Sequence, residues 1–130
     1  MFKGNAAPDN TKTRGDEAET RALAWLNAKG LRLVQRNYRV ARGPHSRGGE
    51  IDLILRDDDG TLVFVEVRSR AASAQGGAAA SVGRPKQRRL VWAAQHFLLR
   101  YDSPPACRFD VLAIDGDQVQ WLQAAFDAAD

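Results

Sequence analysis

The chain has 130 residues, a formal charge of +3 and a sequence pI of about 9.4. That length suits one domain with a core of its own, and the single cysteine, Cys107, excludes an internal disulfide and any cysteine-based zinc site. Mild basicity favours a polyanionic partner. No run approaches the roughly 20 apolar residues of a membrane span, and Met1 to Thr13 carries no signal-peptide core, so the expectation is a soluble, cytoplasmic protein with no membrane partner.

Residues 1–13 are polar, contain Gly4 and Pro8, and are predicted to be a flexible tail, leaving residues 14–130 as one domain. A helix is expected over Arg14 to Lys29, where Ala18, Ala22, Trp25, Leu26 and Lys29 follow helical spacing and Gly30 marks the stop. Glu19 sits at the edge of the buried face. Helix pattern alone makes it a solvated first-turn acid favoured by the dipole. Leu31 to Ala41 reads as a strand, bulged around Gln35 to Asn37. Arg42 to Gly49 is a loop rich in Gly and Pro, with His45 and Arg47 in it.

The most informative stretch follows. Gly49 to Leu55 and Leu62 to Arg68 are two apolar runs rich in β-branched residues, and Asp57-Asp58-Asp59-Gly60 lies between them. This predicts a β-hairpin with Gly60 in the left-handed position of a three-residue loop. Asp57 then faces Thr61, and Asp52 comes opposite Glu66. Alternation puts Asp52, Ile54, Leu62, Phe64, Glu66 and Arg68 on one face, and Ile51, Leu53, Leu55, Val63, Val65 and Val67 on the other. Both faces are largely apolar, as in a strand pair covered on two sides. Glu50, Asp52, Glu66 and Arg68 gather at the open end. Two carboxylates there need a cation between them or a raised pKa. Arg68 as a structural ion pair is one reading. A Mg²⁺ site is the other, since that ion takes one or two carboxylates, water and phosphate oxygens; the carbonyl of Val67 could add a ligand.

Residues 70–82 are rich in Ala, Ser and Gly and are predicted to be a flexible loop, either a substrate-ordered flap or a spacer. Arg84 to Arg100 is the second long helix. Pro85 suits its first turn, and Leu90, Ala93, Ala94, Phe97 and Leu98 form a core-facing stripe. Arg84, Lys86, Arg88 and Arg89 crowd its start, against the dipole. A bound anion such as a phosphate would offset that cost; a solvated basic turn is the plainer account. His96 is expected at the surface. Pro104-Pro105 breaks the chain, Arg108 to Ile114 forms a strand, Val119 to Leu122 a short edge strand, and Ala124 to Asp130 a helical turn or tail. The helix between the hairpin and the next strand permits parallel pairing. The sum is an α/β fold with a mixed central sheet flanked by helices.

Four segments in this order carry a resemblance: Gly49-Glu50-Ile51-Asp52-Leu53-Ile54, Val63-Phe64-Val65-Glu66-Val67-Arg68, Lys86-Gln87-Arg88-Arg89-Leu90 and Cys107-Arg108-Phe109-Asp110-Val111. Together they resemble the YraN-type family of small bacterial proteins, which is similar to the PD-(D/E)xK nucleases and especially to archaeal-type Holliday-junction resolvases. The resemblance implies a restriction-endonuclease-like αβββαβ core and a Mg²⁺- or Mn²⁺-dependent phosphodiesterase site. It implies metal binding by Asp52, Glu66 and the first-helix acid Glu19, with Lys86 and Gln87 at the basic or amide position. Arg68 stands where the superfamily has Lys. Arg stays protonated where a buried Lys can release its proton, so water activation would fall to the metal or to Lys86.

Three functions follow. One is a metal-dependent endonuclease acting on DNA, branched or damaged DNA included, with Asp52, Glu66, Glu19, Arg68 and Lys86 catalytic, Glu50 in reserve, and Arg39, Arg42, Arg47, Arg70, Arg84, Lys86, Gln87, Arg88 and Arg89 on the nucleic-acid backbone. The second is a nucleic-acid-binding module of nuclease fold that no longer cleaves. The third is a protein-interaction domain whose acids are structural. Resolvase-like folds act as dimers, so a homodimer is implied too, with Trp92 and Trp121 as candidate surface aromatics.

Overall fold

The computed structural model describes residues 10–44, 47–70 and 82–128. Residues 1–9 of the expected tail, His45, and residues 71–81 of the expected loop lie outside that description. Two helices, α1 (Asn10–Ala28) and α2 (Arg84–Leu98), enclose a five-stranded sheet. Its strands are β1 (Arg32–Val40), β2 (Gly49–Arg56), β3 (Leu62–Arg70), β4 (Cys107–Asp115) and β5 (Gln118–Phe126). They stand side by side in chain order; β3 and β4 run parallel, and every other pair is antiparallel. Parallel neighbours need a crossover, and α2 supplies it. This is the expected α/β architecture, a restriction-endonuclease-like αβββαβ core with a fifth strand on its outer edge.

Helix α1 begins at Asn10, so residues 10–13 belong to it and not to a tail. It ends as Gly30 requires. Gly30 has φ +101°, its N–H donates to Asn27 at 3.0 Å, and the Leu31 N–H donates to Leu26 at 3.1 Å. These are the closing bonds of a helix that stops on a left-handed glycine. Ala18, Ala22 and Leu26 pack on Leu53, Leu55, Val63, Val65, Leu112 and Ile114. On the opposite face, Leu90, Ala93, Ala94 and Phe97 of α2 cover Ile54, Leu62, Phe64, Phe109 and Val111. Leu98, placed in that stripe by spacing, is only half-buried at its margin. Successive residues of β3 thus feed two different cores, which is why Leu62 to Val65 is apolar throughout.

The hairpin register is the predicted one. Asp57 N–H donates to Thr61 at 2.9 Å, Gly60 has φ +90°, and Leu53 stands opposite Val65. One residue departs from the expected alternation: Ile51 packs on the α2 side together with Ile54, not with Leu53 and Leu55. The cause lies on the neighbouring strand. Arg36 pairs with Leu53 and Tyr38 with Ile51, and between them Asn37 takes φ +53°. The pleat breaks at that rung, and its β2 member is Asp52.

Strand β5 is longer than expected. Residues 124–126, read as a helical turn or tail, continue it. A side chain from the next strand holds them there. The buried Asp110 carboxylate accepts from the Ala124 N–H at 2.9 Å, where Ala124 has φ +51° and the β4–β5 register shifts. It also accepts from Trp121 Nε1 at 2.9 Å and from Arg108 Nε at 3.1 Å, while Arg108 Nη1 reaches Asp57 at 3.0 Å. Phe126 then stacks on Phe109 with ring centroids 5.1 Å apart. Trp121 is therefore tied into the fold, its ring edge-on to Trp25 at 5.6 Å, and is not a free surface aromatic.

Removing one partner of a buried ion pair strands the other, at a cost of about 3–5 kcal/mol. Asp110→Ala should lose stability on that scale in urea unfolding, and Asp110→Asn, which keeps one acceptor oxygen, should lose less. A loss below about 1 kcal/mol for the alanine variant would show that Asp110 does not hold β5.

Candidate active site

The β2–β3 ladder closes from Arg56–Leu62 to Leu53–Val65 and then stops. In place of the next backbone bond, the Val67 N–H donates to Asp52 Oδ2 at 2.8 Å. A side chain has taken over a ladder position, so the sheet opens at this end and Asp52 and Glu66 are brought together there. Glu66 is 4 % exposed. Its Oε2 meets Arg68 Nη1 at 3.3 Å and Lys86 Nζ at 3.1 Å. Sheet and helix each send one cation to the same oxygen. The expected neutralisation by Arg68 therefore applies to Glu66, and Lys86 joins it. Among the described residues no cation forms an ion pair with Asp52. Burial first, and the Glu66 charge second, push the Asp52 carboxyl up to about 8, against the opposing pull of the Val67 N–H. Glu19 and Glu50 add to the rise from further off.

Glu19 lies on the other side of this rung. Arg36 Nη2 is 3.7 Å from its Oε1, and the Asn37 amide, with its oxygen and nitrogen exchanged, donates to the same carboxylate at 3.0 Å. Burial raises the Glu19 pKa, and Arg36 pulls it back. Glu50 is exposed and pairs with Arg39 at 3.1 Å. Gly15, Asp16, Glu19, Asn37, Arg39 and Glu50 line one shallow pocket. Among the described residues, no three acids, histidines or cysteines come close enough to hold a metal ion together. The structure thus brings Asp52 to Glu66 and leaves Glu19 with Arg36 and Asn37. As a donor set, the Asp52–Glu66 pair suits a hard divalent cation: two carboxylates, oxygen ligands only, and a mutual repulsion that such a charge would relieve.

A second pocket, about 630 Å³ in volume, lies between the start of β2 and α2 and touches the site at Lys86. Arg39, Arg47, Lys86 and Arg89 line it, with Glu50 the acid among them. Gly49 makes this approach possible, since a Cβ there would run into the Arg89 carbonyl oxygen and the Ala93 Cβ. The other predicted backbone-binding residues divide. Arg84 and Arg88 are exposed on α2 outside the pocket lining. Gln87 spends its side-chain amide on the Val82 carbonyl at 2.9 Å, a bond that fixes the start of the helix. Arg42 lies over the Trp92 ring, 5.0 Å from its centroid. The Arg70 side chain is outside the described residues.

Sequence reasoning missed Arg36 and Asn37 as the partners of Glu19, and missed Gly49 as a contact glycine. Asn in a predicted bulge and Gly at a strand start were the available signals. For Arg36 there was none, because its partner is contributed by a different element.

The model of Uncharacterised protein family UPF0102 matches residues 18–114, a span that contains Glu19, Asp52, Glu66, Arg68 and Lys86. The chain belongs to the UPF0102 family. It is 65% identical over 119 residues to a UPF0102 protein of Methylibium petroleiphilum, covering 92% of this chain and 98% of that one. UPF0102 proteins of Paracidovorax citrulli (64% identical, 96% of this chain and 90% of that one) and an Acidovorax species (62%, covering 97% and 93%) are similar to it as well. No described helix is long and apolar enough to cross a membrane.

In this UPF0102 chain the folded-state pKa of Asp52 lies above its ordinary value. A group shifted in that direction contributes stability that is complete below the ordinary carboxylate range and is lost as pH rises through the folded value. Metal-free protein should therefore weaken between about pH 4 and 8. Asp52→Asn, which can still accept from Val67, should be spared that loss, which amounts to several kcal/mol at the alkaline end. Thermal melts of the two proteins in chelator across that range test it. A stability difference that does not change with pH would refute the assignment to Asp52.

Proposed function

We propose that this protein is a metal-dependent endonuclease acting on DNA, including branched or damaged DNA. The observation that carries the reading is the convergence of Asp52 and Glu66 at an opened sheet end, with Arg68 and Lys86 on Glu66 and a cation-lined pocket leading away. Asp52 and Glu66 would hold Mg²⁺ or Mn²⁺. When bound, such an ion lowers the pKa of coordinated water and offsets charge on a phosphate. The rest of the chemistry belongs to the chain. Arg68 stays protonated at any relevant pH and can hold the scissile phosphate and balance charge developing on it. Lys86, half-exposed at the start of α2, is placed to shift from Glu66 to a phosphate oxygen. Arg39, Arg47 and Arg89 would carry the flanking backbone. Glu19 would orient water or a second ion only by leaving Arg36, so its contribution is secondary in this reading.

A non-cleaving nucleic-acid-binding module is the second reading, and Arg68 favours it: at the position of the motif Lys this chain has a side chain that cannot act as a base. Both readings require salt-sensitive binding to nucleic acid.

Two measurements separate them. Saturating Mn²⁺ should raise the melting temperature of the wild type, by the equivalent of about 2.7 kcal/mol at 100 times the dissociation constant, and should not raise that of Asp52→Ala/Glu66→Ala. Purified protein with Mn²⁺ should nick branched and linear DNA, and Glu66→Ala should abolish nicking. Product formed undiminished by Glu66→Ala would point to a contaminant. Cleavage gained only in Arg68→Lys would establish the binding module.

A further inference from the structure

Of the three tryptophans in the chain, two are used by the fold. Trp25 and Trp121 meet edge-on and pack against the α1-side core. The third, Trp92, belongs to neither core cluster. It sits on α2 off the buried stripe of Leu90, Ala93, Ala94 and Phe97, and it is half-buried. What covers it is polar. The Arg42 guanidinium carbon lies 5.0 Å from its ring centroid, and the exposed His96 meets it edge-on at 4.9 Å. A large indole kept half-exposed under a guanidinium is expensive in apolar surface, and core packing does not account for it.

Its position gives a reason. Trp92 follows Arg89, which lines the cation-rich pocket, by one helical turn, and Arg42 follows Ala41, which lines the same pocket. From Lys86, the cation on Glu66, Trp92 is six residues further along the helix, a rise of about 9 Å and about a third of a turn around its axis. A strand whose phosphate meets Lys86 can therefore reach the ring only by passing Arg89 and the rim of the pocket, over a few nucleotides. Bases within a duplex already stack on one another and cannot use such a surface. An unpaired base can stack on an aromatic ring or on the plane of an Arg guanidinium.

We infer that Arg42 and Trp92 form a stacking platform for an unpaired nucleotide, so that this protein selects DNA carrying a single-stranded stretch a few nucleotides from the phosphate held at Lys86. The inference rests on the proposed nucleic-acid reading and narrows its substrate class. Pocket cations supply salt-dependent attraction to any strand; the platform supplies a preference that salt does not screen.

Binding of fluorescein-labelled DNA, followed by anisotropy in EDTA, tests it. The probes are a blunt duplex and the same duplex with a six-nucleotide single-stranded tail. Wild type should bind the tailed probe about tenfold more tightly, as loss or gain of one base–aromatic stack warrants. Trp92→Ala should erase that preference, leave blunt-duplex affinity unchanged and leave the salt dependence of binding unchanged. Trp92→Phe should restore much of the preference. Arg42→Lys, which keeps the charge and loses the plane, should reduce it. Equal wild-type affinity for the two probes, or a preference that survives in Trp92→Ala, overturns the platform while leaving the nuclease reading intact. Wild type that binds neither probe at low salt overturns both. A matched loss on both probes in folded Trp92→Ala, or in Arg42→Lys if the alanine variant unfolds, shows general contact and overturns the selectivity.

Discussion

The bond from the Val67 N–H to Asp52 Oδ2 is the contact on which the site depends. Two antiparallel strands would ordinarily continue to exchange backbone hydrogen bonds to the end of the shorter one. Here a carboxylate replaces the next acceptor, and the strands can part without leaving the Val67 donor unpaired. An unpaired buried N–H would cost on the order of 1–3 kcal/mol, so the opening is stable only because a short acidic side chain fills in for the missing carbonyl. The same rung is where Asn37 turns left-handed on β1 and where Ile51 changes face. Two strands lose their regular pleat at a single level of the sheet, and the acids collect at that level.

The electrostatics follow from that geometry. Glu66 faces α2 and receives two cations on one oxygen; Asp52 receives a backbone N–H and, among the described residues, no cation in ion-pair contact. Two neighbouring carboxylates with unequal partners cannot ionise with equal ease. The burden falls on Asp52, whose proton is held to about pH 8. The proton on Asp52 relieves the repulsion, and a cation small enough to enter beside Asp52 would relieve it in the proton's place. The flexible side chains of Arg68 and Lys86 have already been drawn to the other acid.

Much of this was legible in the sequence where the determining contacts are local. A three-residue turn with Gly60 sets the hairpin register, and that register aims Asp52 at Glu66, although the ladder itself stops one rung short, at Leu53–Val65. Helical spacing identifies the buried faces of α1 and α2, and Gly30 stops α1 where it should. What was not legible depends on partners far apart in the chain. Residues 124–126 look like a weak tail until Asp110, on another strand, supplies an acceptor for the Ala124 N–H. Trp121 looks exposed until the same carboxylate takes its indole N–H. Ile51 fits strict alternation in β2 taken alone, and only the kink at Asn37 on the adjacent strand reverses it. Glu19 was read from a resemblance as a member of the acid cluster, and nothing in the pattern around it announced that Arg36 would claim it.

The start of α2 ties these points together. It has no acidic residue in its first turn and no side-chain cap at Gly83, and it carries Arg84, Lys86, Arg88 and Arg89. A helix N-terminus holds partial positive charge, so four cations there are a standing electrostatic cost. Glu66 offsets part of it from the sheet, through Lys86. One carboxylate cannot serve that many cations: Arg89 lines the pocket beside Lys86, and Arg84 and Arg88 stay exposed outside it. Acid pair and basic helix start are each unfavourable on their own. Set side by side they would be stabilised by opposite additions, positive charge beside Asp52 and negative charge along α2.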